Sequence, residues 1–188
     1  MTWDSASRPP MSSPPDDTLP GSSSSDDLHV SWDDYHQKIE QLALNIHHSQ
    51  WTFDAIVCIA RGGLRVGDIL SRIHDKPLAI LSVRSYGGEV GRDRLGVTLS
   101  QTLSTTVPRL GPNVLLVDDL ADSGSTLQRS LQWLHQHHGQ DVEIIKTATL
   151  WCKSTSAVTP DYYIDQVDGD RWICQPFEQY ERYRLPSQ

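Results

Sequence analysis

The chain has 188 residues, of which 37% are hydrophobic, and its formal net charge is −8 at pH 7. This length predicts one domain with a buried hydrophobic core. The negative charge argues against a nucleic-acid-binding surface, and no apolar run approaches the length that spans a membrane.

Residues 1–28 differ in composition from the rest of the chain. They are rich in Ser and Pro, with four consecutive serines at 22–25, and aspartates outnumber the single Arg8. Such a segment cannot bury enough apolar surface to offset its ordering entropy. We therefore predict a disordered tail over 1–28 and a folded domain over 29–188. The three cysteines lack the close spacing of a zinc or redox motif, which favours reduced thiols and a cytoplasmic protein.

The folded part is predicted to begin with a helix and a buried strand. Ser31 and Asp34 have the spacing of a capping box. From Trp32 the apolar residues recur on one face of a helix that ends near His48. The apolar run at 53–60 then predicts a strand buried on both faces.

A short polar turn, Arg61-Gly62-Gly63, comes directly after this strand, and helical spacing resumes at Val66. Arg61 offers a fixed pair of donors for phosphate oxygens, and the glycines let backbone N–H groups approach an anion. A plain strand-to-helix turn explains the same residues equally well, so this turn by itself leaves both interpretations open.

A second apolar strand at 77–83 leads into a long polar connection that runs to about Arg109 and contains Ser85 and Tyr86. A connection of this length without a clear helix is usually functional or mobile. A surface β-hairpin is a compatible interpretation.

The most informative stretch is 114–127. Its first four residues form an apolar run that suits a buried strand, and the adjacent carboxylates of Asp118 and Asp119 follow at the end of that strand. Open α/β sheets bind ligands beyond the carboxyl ends of their strands. Carboxylates suit sugar hydroxyls or Mg²⁺, and the polar residues at 123–126 open a helix whose free N–H groups could hold a phosphate. Together these features indicate a phosphorylated ribose. The alternative is that Asp122 or Ser123 only caps the helix.

The C-terminal third contains two further candidates. A helical face beginning at Leu127 ends at Gly139, and a strand is predicted at 142–150 with Lys153 just past its end. Lys153 could donate to a substrate carbonyl, although a solvated lysine is as good an interpretation. Trp172 offers a flat surface for stacking on a base, but large aromatic residues are more often part of a core.

The stretch 114–127 resembles the phosphoribosyl-pyrophosphate (PRPP) signature of the type I phosphoribosyltransferases. Residues 172–178, Trp-Ile-Cys-Gln-Pro-Phe-Glu, are similar to a segment of the purine branch, which contains the xanthine-guanine and hypoxanthine-guanine enzymes. The sequence departs from that branch at Phe177, where relatives usually carry Trp. The resemblance implies an α/β fold with a mostly parallel central sheet flanked by helices, a flexible active-site loop and a small C-terminal base-binding segment.

The resemblance also implies roles for individual residues. Asp118 and Asp119 would hold the ribose hydroxyls, with Asp119 near Mg²⁺, and Asp122 would be the general base. Arg61 and Gly62 would bind pyrophosphate, next to an Ala60–Arg61 peptide that is often cis in the family. The loop that grips the 5′-phosphate would consist of Ala121, Ser123, Gly124, Ser125 and Thr126.

In the purine branch, the position of Lys153 faces the 6-oxo group, that of Trp172 stacks on the base and the backbone carbonyl of Ile173 reads its edge. Ser85 and Tyr86 match a Ser-Tyr pair at the start of the flexible loop. The predicted function is transfer of the phosphoribosyl group from PRPP to a 6-oxopurine, with Mg²⁺, in a homo-oligomer (dimer or tetramer) without nucleic acid or membrane partners. The alternatives are a non-catalytic PRPP-binding regulatory protein and a phosphoribosyltransferase for another base.

Overall fold

The computed structural model describes residues 27–85, 97–169 and 171–182, so the predicted tail up to residue 26 and Tyr86 lie outside the described residues. Within these ranges the helices are Trp32–His48 (α1), Gly63–His74 (α2), Ser125–His138 (α3) and Gln179–Arg182 (α4). None of these helices is both long and apolar enough to cross a membrane.

The strands in the described residues are short. They are Leu28–His29 (β1), Ala55–Ala60 (β2), Leu78–Ser85 (β3), Val97–Leu99 (β4), Ser104–Thr105 (β5), Asn113–Val117 (β6), Leu120–Ala121 (β7), Ile144–Ala148 (β8), Trp151–Lys153 (β9), Asp165–Val167 (β10) and Ile173–Cys174 (β11).

The main sheet is mostly parallel. Strands β3, β2, β6 and β8 lie side by side in that order and are parallel, while β4 and β5 pair with β3 in the antiparallel sense. Because β2 and β6 are parallel neighbours, their carboxyl ends meet at one edge of the sheet. The Arg61 turn and the Asp118–Asp119 pair therefore lie side by side.

Helices cover both faces of this sheet, as alternating side chains of its central strands require. Ile56 of β2 and Leu115 of β6 pack into one apolar cluster with α1 and α2. Val57 and Leu116, the next residues along the same strands, pack into a second cluster that includes residues of α3. This arrangement is the α/β fold that the resemblance implies.

The predicted elements of the first half are confirmed with small changes at their ends. The Ser31–Asp34 capping box at the start of α1 is present in both directions, and β2 begins at Ala55 rather than at residue 53. The hairpin interpretation is confirmed for the ladder between β3 and β4. The side chain of Ser85 lies outside the described part.

The predicted strand at 142–150 is wrong at both ends. It runs only over Ile144–Ala148, and the chain then turns and forms β9, which pairs with β7 and β10 in a separate three-stranded sheet. Lys153 is consequently the last residue of a buried strand instead of a residue in the solvent beyond one. The sequence did not show the break because the apolar run continues through Trp151 and Cys152.

A two-stranded parallel sheet joins the two ends of the described chain. Leu28 of β1 lies opposite Ile173 of β11, and His29 lies opposite Cys174. The pairing was not predicted, because a two-residue strand is too short to show an alternating pattern.

Candidate active site

Two carboxylates meet at the carboxyl end of β6. Asp118 is buried, and its Oδ1 accepts a hydrogen bond of 3.0 Å from the backbone N–H of Asp119. Burial, followed by the charge of Asp119, raises the pKa of Asp118 well above its ordinary value. Burial also raises the pKa of Asp119, although a hydrogen bond from Gln175 acts in the opposite direction. The pair therefore favours cations or hydroxyl donors beside it.

Gly62 brings the Arg61 turn against these acids. A Cβ atom at Gly62 would lie 2.4 Å from Oδ1 of Asp119, so only glycine leaves room for the carboxylate there. The Ala60–Arg61 peptide is cis, as the resemblance implies. The Arg61 side chain is exposed, and its Nη2 lies 3.2 Å from a carboxylate oxygen of Glu181 on α4.

The loop at 123–126 forms the start of α3. Gly124 is the N-cap residue and has a positive φ of 77°, which favours glycine. A Cβ atom there would also lie 2.7 Å from the backbone nitrogen of Val158. The predicted N-cap position of Asp122 or Ser123 is therefore wrong, although the Oγ of Ser123 accepts a long hydrogen bond of 3.4 Å from the backbone N–H of Ser125 in the first turn. The first-turn N–H groups and the hydroxyls of Ser125 and Thr126 lie where an anion could be bound.

Lys153 reaches this loop from β9. It is 9% exposed, and its Nζ lies 2.9 Å from Oδ1 of Asp122, whose side chain is 61% exposed. A buried ammonium group requires a charged or strongly polar partner. The pair therefore holds a lysine at the edge of the cleft, where its donors can turn to a ligand.

The segment at 172–178, called the aromatic segment below, contributes residues to the same cleft. Trp172 is 55% exposed, and its Nε1 donates to Glu178 at 3.3 Å. The N–H groups of Leu28 and Val30 donate to the carbonyls of Trp172 and Cys174, at 2.8 and 3.1 Å. Since carbonyl directions alternate along a strand, the Ile173 carbonyl points away from β1 and is available to a ligand.

Phe177, the departure from the purine branch, is packed from two sides. Its ring lies edge-to-face with that of Tyr35, with centroids 5.9 Å apart, and the guanidinium group of Arg65 lies 4.6 Å from its centroid. The smaller ring is thus accommodated beneath the segment, and Trp172 keeps its exposed position.

These groups line one cleft of about 1030 Å³, near the upper end of the usual size of a small-molecule site. The predicted site residues that line it are Arg61, Gly62, Asp118, Asp119, Asp122, Thr126, Lys153, Trp172 and Ile173. Ser123, Gly124 and Ser125 belong to the adjoining loop, and Ala121 is the buried last residue of β7; these four are not among the lining residues. The structure thus brings together positions up to 112 residues apart in sequence, from Arg61 to Ile173.

A family model described as "Phosphoribosyl transferase domain" matches residues 31–182. The chain belongs to this family. The predicted membership of the phosphoribosyltransferase family and the predicted α/β fold are both confirmed. The described cleft is accordingly the candidate active site of a phosphoribosyltransferase.

Named relatives of this phosphoribosyltransferase agree with the family. It is 30% identical to the xanthine-guanine phosphoribosyltransferase of Cereibacter sphaeroides, over 85% of this chain and 91% of the relative. Identity to the enzyme of the same name from Ruegeria sp. is 29%, over 85% and 89% of the two chains. The crystal structure of a purine phosphoribosyltransferase from Pyrococcus horikoshii matches with a TM-score of 0.62 and 28% identity, over 87% of this chain and 99% of that one.

Sequence reasoning missed one residue at the centre of the phosphoribosyltransferase cleft. Gln175 is buried, and its Nε2 donates a 2.7 Å hydrogen bond to Oδ2 of Asp119. Its Oε1 is buried without a hydrogen-bond partner among the described residues. Gln175 therefore links the aromatic segment to the acidic pair. Its signal in the sequence is its position between Ile173 and Phe177, within the segment that is similar to the purine branch.

Proposed function

We propose that this phosphoribosyltransferase transfers the 5-phosphoribosyl group of PRPP to a 6-oxopurine and releases pyrophosphate. One juxtaposition supports a purine most strongly. The ammonium group of Lys153 lies 2.9 Å from the Asp122 carboxylate, and the exposed ring of Trp172 lines the same cleft. A flat base with a carbonyl beside a ring N–H matches this set of groups.

The sugar and its phosphate would occupy the part of the cleft between β6 and α3. Asp118 and Asp119 would accept hydrogen bonds from the ribose hydroxyls. The loop at 121–126 would bind the 5′-phosphate through first-turn N–H groups and hydroxyls. Held at both ends, the ribose would present C1′ to the base, which lowers the entropic part of the barrier.

Pyrophosphate would lie at the turn after β2. Arg61 provides a guanidinium group for its oxygens, and Gly62 lets the backbone come close to them. Arg61 is paired with Glu181 at 3.2 Å. Both side chains are exposed, so the pair is weak enough to open when a phosphate arrives.

Mg²⁺ fits the acidic end of the cleft, because carboxylate oxygens are the hard ligands it prefers. Repulsion within the Asp118–Asp119 pair favours a cation there, and Asp119 is the residue we place nearest to it. When bound with PRPP, Mg²⁺ supplies positive charge that neutralises the departing pyrophosphate.

The base would be held by three groups of this chain. Trp172 would stack on the purine, Lys153 would donate to the 6-oxo group, and the Ile173 carbonyl would accept from the edge of the ring. As the bond between C1′ and the pyrophosphate oxygen breaks, N9 of the purine bonds to C1′. Asp122 would accept the proton that leaves N7, and the nearby carboxylates would stabilise the positive charge that grows on the ribose.

The test is product formation with PRPP and Mg²⁺, with guanine, xanthine, hypoxanthine, adenine and uracil supplied one at a time. We expect a nucleoside monophosphate from at least one 6-oxopurine and much slower turnover with adenine and uracil. Turnover with uracil alone would assign a different base. Binding of PRPP without turnover on any base would favour a regulatory protein. The homo-oligomer and the cytoplasmic location stay predictions.

A further inference from the structure

Three side chains that can bind metal ions meet on the small sheet formed by β1 and β11. They are the carboxylate of Asp27, the imidazole of His29 and the thiol of Cys174, and one ligand atom from each lies within 4.8 Å of the other two. None of the three lines the proposed catalytic cleft. They therefore form a cluster that phosphoribosyl transfer does not use.

The backbone holds this cluster in place. His29 and Cys174 are direct partners in the parallel ladder, and neighbouring strands lie about 4.8 Å apart. Asp27 precedes His29 by two residues, so in an extended chain both side chains project from the same face. Hydrogen bonds from Leu28 and Val30 to β11, at 2.8 and 3.1 Å, fix the register on either side.

We propose that Asp27, His29 and Cys174 bind one transition-metal ion, of which zinc is the best match. Thiolate and imidazole are softer ligands than the oxygens that Mg²⁺ prefers, and together with a carboxylate they are the ligand types of protein zinc sites. Tetrahedral zinc with such ligands places their donor atoms about 3.3–3.6 Å apart. The ligand atoms of the cluster lie within 4.8 Å of one another, so binding requires them to move closer by about an ångström at most.

The exposure of the three residues allows the ion to enter. His29 is exposed, while Asp27 and Cys174 are partly exposed, so the fourth position is left to water. Binding replaces the Cys174 thiol proton, which passes to the solvent, and affinity therefore falls as the pH is lowered. His29 and Cys174 are separated by 145 positions in the sequence. The three ligands therefore do not form a local zinc motif.

A metal ion here would cross-link the first described strand to the purine-binding segment, since Cys174 directly follows Ile173. Anything that binds the folded state and not the unfolded state stabilises it. Metal binding should therefore raise the melting temperature.

The experiment uses the full chain, reduced and stripped of metal by a chelator, in excess Mg²⁺ to occupy the acidic pair. Zinc chloride is added with a competing chromophoric chelator, and cobalt(II) is added separately to record its absorption spectrum. We expect one zinc per chain and a near-ultraviolet thiolate-to-cobalt charge-transfer band. Cys174→Ser should remove this band and weaken zinc binding at least tenfold. His29→Gln, which changes an exposed side chain, should weaken zinc binding to a similar degree.

Two matched variants serve as controls. Cys152→Ser changes a buried cysteine of β9, and His48→Gln changes an exposed histidine at the end of α1. Both should bind zinc like the unmodified chain. The proposal is overturned if the unmodified chain binds no zinc at micromolar concentration, or if binding and the cobalt band persist in Cys174→Ser. Purine transfer with Mg²⁺, measured in parallel, separates failure of this proposal from failure of the proposed function.

Discussion

The ammonium group of Lys153 and the carboxylate of Asp122 form an ion pair of 2.9 Å across the rim of the cleft. The lysine is buried in β9, and the aspartate is largely exposed in the loop before α3. On a 6-oxopurine the 6-oxo group and N7 are neighbours. Lys153 can therefore donate to this oxygen while the neighbouring carboxylate of Asp122 accepts the N7 proton.

Asp122→Asn should lower kcat by about 10²–10⁴-fold, because the amide cannot accept the proton as a carboxylate does. The affinity for PRPP should change little, since the loop backbone is retained. Steady-state kinetics and calorimetric titration of PRPP measure the two quantities. The matched control is Asp75→Asn, which changes the exposed C-cap residue of α2 and should leave both quantities unchanged. An equal loss of PRPP binding and turnover would argue against the base role.

Trp172→Ala should raise KM for the purine by roughly 10–100-fold, since stacking of a base on an aromatic ring contributes about 1–3 kcal/mol. The melting temperature should stay nearly constant, because the ring is 55% exposed. Trp172→Phe retains an aromatic ring, so its KM for the purine should rise less. If the Ala and Phe variants have the same KM as the parent, the base does not stack there.

Gln175→Met should weaken PRPP binding by about 10-fold or more. The variant removes the 2.7 Å hydrogen bond to Asp119, and a hydrogen bond to a charged group contributes about 1.5–3 kcal/mol. KM for PRPP should rise more than KM for the base. Gln179→Met changes an exposed glutamine of α4 and is the control. A larger rise in KM for the base than in KM for PRPP would indicate that Gln175 instead orders the aromatic segment.

Asp118→Asn should stabilise the unliganded protein at neutral pH while weakening PRPP binding. Burial and the Asp119 charge raise the pKa of Asp118 in the folded state, so the folded chain holds this proton more tightly than the unfolded chain. That contribution to stability is complete below the ordinary Asp pKa of about 4 and is lost as the pH rises through the raised pKa. Asp118→Asn removes the carboxylate charge whose burial destabilises the folded state at higher pH.

In Asp118→Asn the free energy of unfolding should increase by about 1–2 kcal/mol near pH 8, and this increase should shrink toward zero near pH 4. Chemical denaturation at the two pH values measures it. Glu143→Gln removes an exposed carboxylate far from the cleft and should show no such pH dependence. A variant that is less stable than the parent near pH 8 would contradict the prediction.

Much of the site could be predicted from the sequence, because its main parts are local. The acidic pair and the Arg61 turn each follow a buried strand directly, and the loop at 123–126 comes only a few residues after the acids. Parallel pairing of β2 with β6 then brings the Arg61 turn and the acidic pair together, and no other long-range contact is needed for this.

The contacts that depend on distant pairing could not be predicted. Gln175 carried no signal that it would meet Asp119, because the position of the aromatic segment depends on how β11 pairs with β1. The prediction that Lys153 lies outside a strand is wrong because burial is uninterrupted from residue 147 to residue 153 and conceals the turn between β8 and β9. Roles in binding and catalysis rest on the resemblance and stay predictions until the variants are measured.

The pairing of β1 with β11 also bears on the order in which the molecule is made. Leu28 is translated long before Ile173, so their ladder can form only after residue 173 has been made. The acids and the loop before α3 emerge well before that point. A growing chain would thus have the groups proposed to bind the sugar and its phosphate before it has the segment proposed to bind the base, and the cleft would gain its last lining residues only when 171–182 have been translated.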